Sequence, residues 1–354
     1  AGEGNILVSD KEPGPELTLA LRSRDAWFEI ATELGNSFEL EAKGGLVVAK
    51  SETGLTTLRE LAERQERAGV TTTSVGSGEL RELEPNLTHE VTQGVYYPQD
   101  SQCQPMLATA HIFRAVLSMG GRFIQGASVT KVNTSNNQVI GIETTQGSFS
   151  SNVVINTAGT WAGEIARLAG SSLPIAPRRG FILVTAPAKK LIFHKVYDTD
   201  YVANVASSDA DLQTSAVIEG TQSGTILIGA SRERVGFKEG IDYRVLQILA
   251  RQAISLFPVL ANVQLLRAYR GFRPYAPDHL PVIGEDRRVA GLWHNAGHEG
   301  AGIGLAPASA QLITEQITGR STFMDSTPFA PSRFIDRRGD MPADNYEGAE
   351  ASNG

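Results

Sequence analysis

Two segments of this sequence repeat one order of parts and lie far apart in the chain. Val153-Val154-Ile155-Asn156 is the continuous apolar run of a buried parallel strand. It passes straight into the small residues Thr157-Ala158-Gly159-Thr160, then Trp161-Ala162 and a helical pattern to Leu168. Gly291-Leu292-Trp293-His294-Asn295-Ala296 reads as a second strand. It is followed by Gly297-His298-Glu299-Gly300-Ala301-Gly302-Ile303-Gly304 and a helix expected from Ala306 to Ile317. Strand, small-residue turn, helix is the layout of a nucleotide site in an open α/β sheet.

Strands dominate the stretch between them: Phe181–Val184, Ser215–Glu219, Thr225–Ala230 and Leu265–Pro274, with one helix at Tyr243–Phe257. That pattern predicts a second, antiparallel sheet. Upstream, periodicity predicts helices over Leu17–Leu34, Leu55–Ala68, Glu79–Leu83 and Pro105–Met119. The stripe Leu107, Ala110, Phe113 and Leu117 on the last of these is expected to be core. Strands are expected at Gly44–Lys50 and Gly94–Pro98, and a meander at 127–150 around the turn Thr134-Ser135-Asn136-Asn137. The expected fold is therefore mixed α/β. One discontinuous Rossmann-like domain (1–45, 95–172 and 275–338) carries an inserted antiparallel-sheet domain (46–94 and 173–274), and a small polar tail, 339–354, is expected to be disordered.

Composition matters where it excludes. A net charge of −7 with no sustained basic run argues against nucleic acid. A single cysteine, Cys103, rules out an internal disulfide and a multi-thiolate metal centre, and points to a cytoplasmic setting. His294 and His298 lack metal-ligand spacing to other His or Cys, so no metal is expected. No apolar run reaches the length of a membrane helix.

The loop 297–304 has four glycines in eight residues, more than a tight turn requires, and the helix after it favours an electron-rich group at its N-terminus. In Arg267-Ala268-Tyr269-Arg270-Gly271-Phe272-Arg273-Pro274, period two puts Arg267, Tyr269 and Arg273 on one face and Arg270 on the other. An arginine at an enclosed site holds a carboxylate by two parallel hydrogen bonds.

Arg270-Gly-Phe-Arg-Pro-Tyr-Ala-Pro-Asp-His-Leu-Pro-Val-Ile-Gly284, with Gly291-Leu292, the loop from Gly297 to Ala308, and 153–162, resembles the D-amino-acid oxidase, glycine oxidase and sarcosine oxidase superfamily. Thr225–Phe237 is similar to its branch of hetero-oligomeric dehydrogenase subunits, such as hydrogen cyanide synthase, opine oxidase and D-hydroxyproline dehydrogenase. The resemblance implies an FAD-binding domain, a substrate domain, and oxidation of the C–N bond of a small amino or imino acid. It implies that Arg273 holds the substrate carboxylate, that Tyr201 faces the substrate, and that His298 lies at the reacting end. It implies cofactor contacts from Gly2, Val129, Ala158, Gly159, Trp161, Arg267, Gly271, Gly297, His298, Glu299, Gly300, Gly302 and Ile303. The sarcosine oxidase branch attaches its flavin through a cysteine near the Arg-Pro segment. None lies there, so noncovalent FAD is expected. The glycine oxidase branch has an arginine where this chain has a glycine near Gly300.

The family opens with a strand, GxGxxG and a helix. No GxGxxG occurs in this sequence, and Ala1-Gly2-Glu3-Gly4-Asn5 resembles the loop that follows that unit. The expectation is that the unit is truncated or supplied by another chain. The alternative function is then a dependent or non-catalytic subunit of a hetero-oligomeric flavin dehydrogenase.

Overall fold

The computed structural model describes residues 2–209 and 211–335; the expected disordered tail lies outside the described residues. The fold is mixed α/β. Its largest sheet has eight strands, in the order 265–275, 176–185, 226–232, 213–220, 195–198, 45–49, 93–97, 73–76. Every neighbouring pair is antiparallel except Gly45–Ala49 with Lys195–Asp198. A second sheet joins Val282–Glu285, Leu292–Ala296 and Val154–Asn156, the last two in parallel. The meander at 129–150 forms a third, with turn residues Asn136 and Asn137 both at positive φ. The expected boundaries at 45/46 and 94/95 fall within strands of the eight-stranded sheet.

The buried turn after Val154–Asn156 is set by one side chain. Asn156 Nδ2 donates to the carbonyl of Ala162 at 2.8 Å, and its Oδ1 accepts from Ala158 N at 3.2 Å. The same Nδ2 lies 3.1 Å from Nδ1 of the wholly buried His294 on the parallel neighbour. Nε2 of His294 then donates to Asp286 at 3.2 Å. Asp286 also accepts from Arg288 and Ser171, and these donors hold its carboxyl well below the usual carboxylate range despite burial. The two strand–turn–helix segments are thus pinned to each other by a polar network as well as by apolar packing.

The last helix begins earlier than expected, at Gly302 and not Ala306, so Gly302, Ile303 and Gly304 are its first turn. Helix Pro15–Leu34 packs along it. Pro307 has no amide to give the carbonyl of Ile303, and Trp27 Nε1 supplies that bond instead at 2.9 Å. One residue on, the Ser23 hydroxyl sits between Gly304 O and Ala308 N. Gly304 has no room for a side chain, because a Cβ there would stand 2.8 Å from the carbonyl of Asn5.

One expectation is corrected. The stripe Leu107, Ala110, Phe113 and Leu117 is not core: it is exposed, as are Met106, Val116 and Met119. The helix Pro105–Ser118 buries Ala108 instead, against Trp27, Phe38 and Cys103. A helix apolar on several faces gives periodicity no means of choosing the covered one. Tyr201 lies on the short helix Thr199–Ala206 and is deeply buried. After the opening loop, Asn5–Ile6 pairs with Ser101–Gln102. Cys103 is a buried core residue whose thiol burial pushes up to about 12.

Candidate functional site

Three adjoining cavities lie along the strand Leu265–Tyr275, two of them between it and the start of the last helix. The first, about 310 Å³, is lined by Arg273, Arg232, Tyr201, His298, Glu299, Gly300, His279 and Lys11, among others. The second, about 240 Å³, shares Tyr201, Arg273, Glu299 and Gly300 with it, and adds Gly2, Glu3, Asn5, Tyr269, Gly271, Gly302 and Ile303. The third, about 300 Å³, touches the second at Gly2, Pro105 and Tyr269, and extends past Arg267, Glu219 and Cys103. Strand pairing explains the convergence. Residues 267, 269, 271 and 273 face one way along a single strand, and the glycine loop lies across its end.

Arg273 is held firmly. Its Nη1 donates to the carbonyl of Ser231 at 2.8 Å, and its guanidinium lies across Gly180, where a Cβ would stand 2.1 Å from Nη1. Burial, then the neighbouring Arg232, pulls its pKa down to about 10, so it stays charged at neutral pH. His298 is pushed the other way from protonation: burial lowers it to about 4, and Nε2 lies 3.0 Å from Ser309 Oγ. It is a neutral imidazole at the cavity wall. Glu299, at positive φ, pairs with Arg178 at 3.3 Å, and its other oxygen lies 2.8 Å from Nδ1 of His279. Tyr201 packs edge-on against Tyr197, with Arg232 5.3 Å above its ring, and burial raises its hydroxyl pKa.

The second cavity tests whether a flavin ring fits. A Cβ at Gly302 would meet only His298, at 3.7 Å, so the glycine leaves that wall open. No side chain caps the first turn of the sixteen-residue helix Gly302–Ile317, leaving its N–H groups and dipole turned to the cavity. Glu3 Oε1 and Asn5 Oδ1, on two lining residues, are buried without partners and suit N–H donors of a ring system. Behind them, Lys195 Nζ bonds Glu219 at 2.8 Å with Glu3 at 3.7 Å, a buried cationic support for this end. The residues fit the group.

Of the residues singled out from sequence, Arg273, Tyr201, His298, Glu299, Gly300, Gly302, Ile303, Gly271 and Gly2 are brought together here. Arg267 lines the third cavity. Val129, Ala158, Gly159, Trp161 and Gly297 line none of the three. Trp161 stacks on Phe237 at 5.4 Å, and Gly297 turns the chain at positive φ against Ile175. Sequence reading missed Arg232, Glu3, Asn5 and Lys11. For Arg232 a signal existed: it ends the period-two row Ile226, Ile228, Ala230, all buried. Among the described residues, no group of three His, Cys, Asp or Glu has metal-site geometry, and no helix is long and apolar enough to cross a membrane.

A parallel strand pair with two small-residue turns thus lies beside a large sheet that presents an arginine to a glycine-lined slot. The chain belongs to the DAO family of FAD-dependent oxidoreductases, whose model matches residues 4–316. It is 31% identical over 257 residues to the hydrogen cyanide synthase subunit HcnC of Pseudomonas protegens, across 72% of this chain and 58% of that protein. It is 30% identical over 194 residues to the glycine oxidase of Pseudomonas putida, across 55% of this chain and 49% of that one. The chain thus spans about half the length of these curated relatives. In three dimensions it is similar to L-proline dehydrogenase from P. horikoshii: TM-score 0.85 at 24% identity, over 95% of this chain and 87% of the other. That likeness is one of fold.

Proposed function

We propose that this chain is the substrate-binding and flavin-facing part of an FAD-dependent oxidase or dehydrogenase of small amino or imino acids. The observation that carries the reading is the shared wall: Arg273 and Gly300 border both the polar cavity and the glycine-lined slot. Noncovalent FAD, when bound, supplies the two-electron acceptor for the C–H bond next to nitrogen, leaving an imine that water hydrolyses. Arg273 fixes the carboxylate by two parallel hydrogen bonds and so turns the α-carbon toward the slot. His298, neutral, adds no competing cation there. Tyr201, undissociated, closes the inner end against water with Tyr197 behind it.

The division into an FAD domain (1–45, 95–172, 275–338) and a substrate domain (46–94, 173–274) belongs to this proposal. So do cofactor roles for Val129, Ala158, Gly159 and Trp161 at the far, nucleotide end. The unpaired, buried Cys103 supports a cytoplasmic setting.

A second reading, a subunit dependent on a partner, is favoured by one observation. The exposed face of Met106, Leu107, Phe113, Val116, Leu117 and Met119, with Phe113 edge-on to Phe123 at 5.0 Å, is large for an uncovered surface.

The test is the visible spectrum of the purified chain with added FAD, followed by anaerobic addition of glycine, sarcosine, proline and D-amino acids. Flavin bands that bleach with one of these support the first reading. Bands that never bleach overturn it. A chain that takes up no FAD but does so with a co-purified partner supports the second.

A further inference from the structure

Two guanidiniums face one cavity, and among the described residues neither forms a salt bridge to a carboxylate. Arg232 is 5% exposed and lines the same 310 Å³ space as Arg273. Among the described residues, no hydrogen bond or ion pair is made by the Arg232 side chain, whose one described contact is the Tyr201 ring at 5.3 Å. Arg273 bonds only a neutral carbonyl, that of Ser231, the residue just before Arg232. The two cations therefore arise at adjacent points of the cavity wall. They repel each other, which lowers the pKa of Arg273 further than burial alone.

The acids around the cavity do not neutralise them. Glu299 is engaged by Arg178, Glu12 by Arg64, and Asp10 and Glu16 by Lys11, while Glu3, the one carboxylate that acts on Arg273, makes its contacts to Lys195 and Asn5 and is pushed by burial toward its neutral form. Burial also pushes Glu16 up toward its neutral form. A buried guanidinium without a counter-ion is costly, and a pair of them more so. One α-carboxylate, bound to one arginine through two parallel bonds, balances a single charge and leaves the other cation unmet.

The geometry points to an amino or imino acid with two carboxylates as the substrate class, one held by Arg273 and the other by Arg232. The second carboxylate belongs on the side chain or on the far carbon of a secondary amine. This inference rests on the oxidoreductase reading above, and it makes Arg232 the residue that sets specificity.

The experiment begins with binding. Calorimetric titration of the full chain with glutarate, succinate and propionate at one ionic strength needs no turnover. Glutarate or succinate is expected to bind about 10- to 100-fold more tightly than propionate, as a charged hydrogen-bonded contact implies. Arg232→Met is expected to collapse that preference, and Arg232→Lys to retain part of it. Equal binding of propionate and the diacids overturns the inference, as does a preference that survives Arg232→Met in a variant with wild-type far-ultraviolet circular dichroism. Oxidation assays on the FAD-loaded chain then compare aspartate, glutamate and iminodiacetate with glycine, sarcosine and proline. Diacids that bind while no amine is oxidised leave the two-anion site standing and remove the oxidoreductase reading. Monocarboxylates oxidised at lower KM than any diacid leave that reading standing and remove this one.

Discussion

The guanidinium of Arg273 occupies the space a side chain at Gly180 would need. The two residues lie on paired strands, and an added methyl would stand 2.1 Å from Nη1 and 2.4 Å from the carbonyl of Ser231 that Nη1 bonds. Gly180 thus protects both the position of the anchoring arginine and the close approach of the Ser231 backbone that holds it. Gly180→Ala should displace Arg273 and raise the KM for an oxidised amino acid by roughly 10- to 100-fold, with kcat less affected. Overpacking should cost about 1–3 kcal/mol of stability. Steady-state kinetics beside a denaturant melt check both; a KM unchanged by the methyl would dissociate the arginine from the carboxylate.

Arg273→Lys separates charge from shape. Lysine keeps one positive charge but not the planar fork, and it cannot reach both Ser231 and a ligand carboxylate in the same way. The expected outcome is a KM close to that of Arg273→Met, with at most a few-fold rescue. A lysine variant with near wild-type KM would mean that charge alone suffices at this wall.

Much of this was readable from the chain, and the failures have definite causes. The two strand–turn–helix units were visible because each combines an apolar strand with residues too small to block a ligand, at 153–162 and 291–304. Arg273 was visible because it shares a period-two face with Arg267 and Tyr269 just before the proline-rich loop 277–281. Arg232 was half visible: the period-two row Ile226, Ile228, Ala230 puts it on the inward face, but a charge at the end of that row also fits a strand end in solvent, and the sheet order is what brings Arg178, Arg232 and Arg273 together. The helix at 105–118 misled for the opposite reason: its apolar residues surround it, and which side is covered depends on where helix Pro15–Leu34 lies. Tyr201 follows Asp198–Thr199, where a strand turns directly into a helix with no glycine or proline to mark it.

The bond from Trp27 to Ile303 is a repair of the last helix, and it should behave as one. Trp27→Phe leaves a buried carbonyl at Ile303 with no donor, because Pro307 has none to offer. The loss should be about 1–3 kcal/mol for the orphaned acceptor, on top of any packing change. Pro307→Ala restores an amide four residues on. In the Trp27→Phe background it should recover much of that loss, whereas in the wild-type background it should gain less. Urea unfolding of the four proteins measures the coupling; additive effects would mean that Trp27 acts by packing alone.

Acid stability should show two opposing slopes. Asp100 is wholly buried, its Oδ1 accepting from Val8 N at 2.8 Å and its Oδ2 bonded by Ser9, yet burial raises its pKa to about 7. Between the unfolded value near 4 and about 7, the folded state holds a proton that the unfolded chain has released. Stability from this group is therefore present at low pH and falls as pH rises through that window, by at most about 1.4 kcal/mol per unit. His298 does the reverse. Lowered to about 4, it stays neutral while the unfolded histidine protonates below about 6.5, so its contribution falls as pH drops through that range. His298 is only partly buried at the cavity wall, whereas Asp100 is wholly buried, so the histidine's slope should be the smaller. Asp100→Asn should then leave a chain that gains stability from pH 4 to 6.5, and His298→Gln one that loses it more steeply than the parent. Thermal midpoints across pH 4 to 8 for the three proteins decide this. A parent curve whose slope in that window is unmoved by Asp100→Asn would show that the carboxyl is ionised in the folded state, with the Val8 and Ser9 donors outweighing its desolvation.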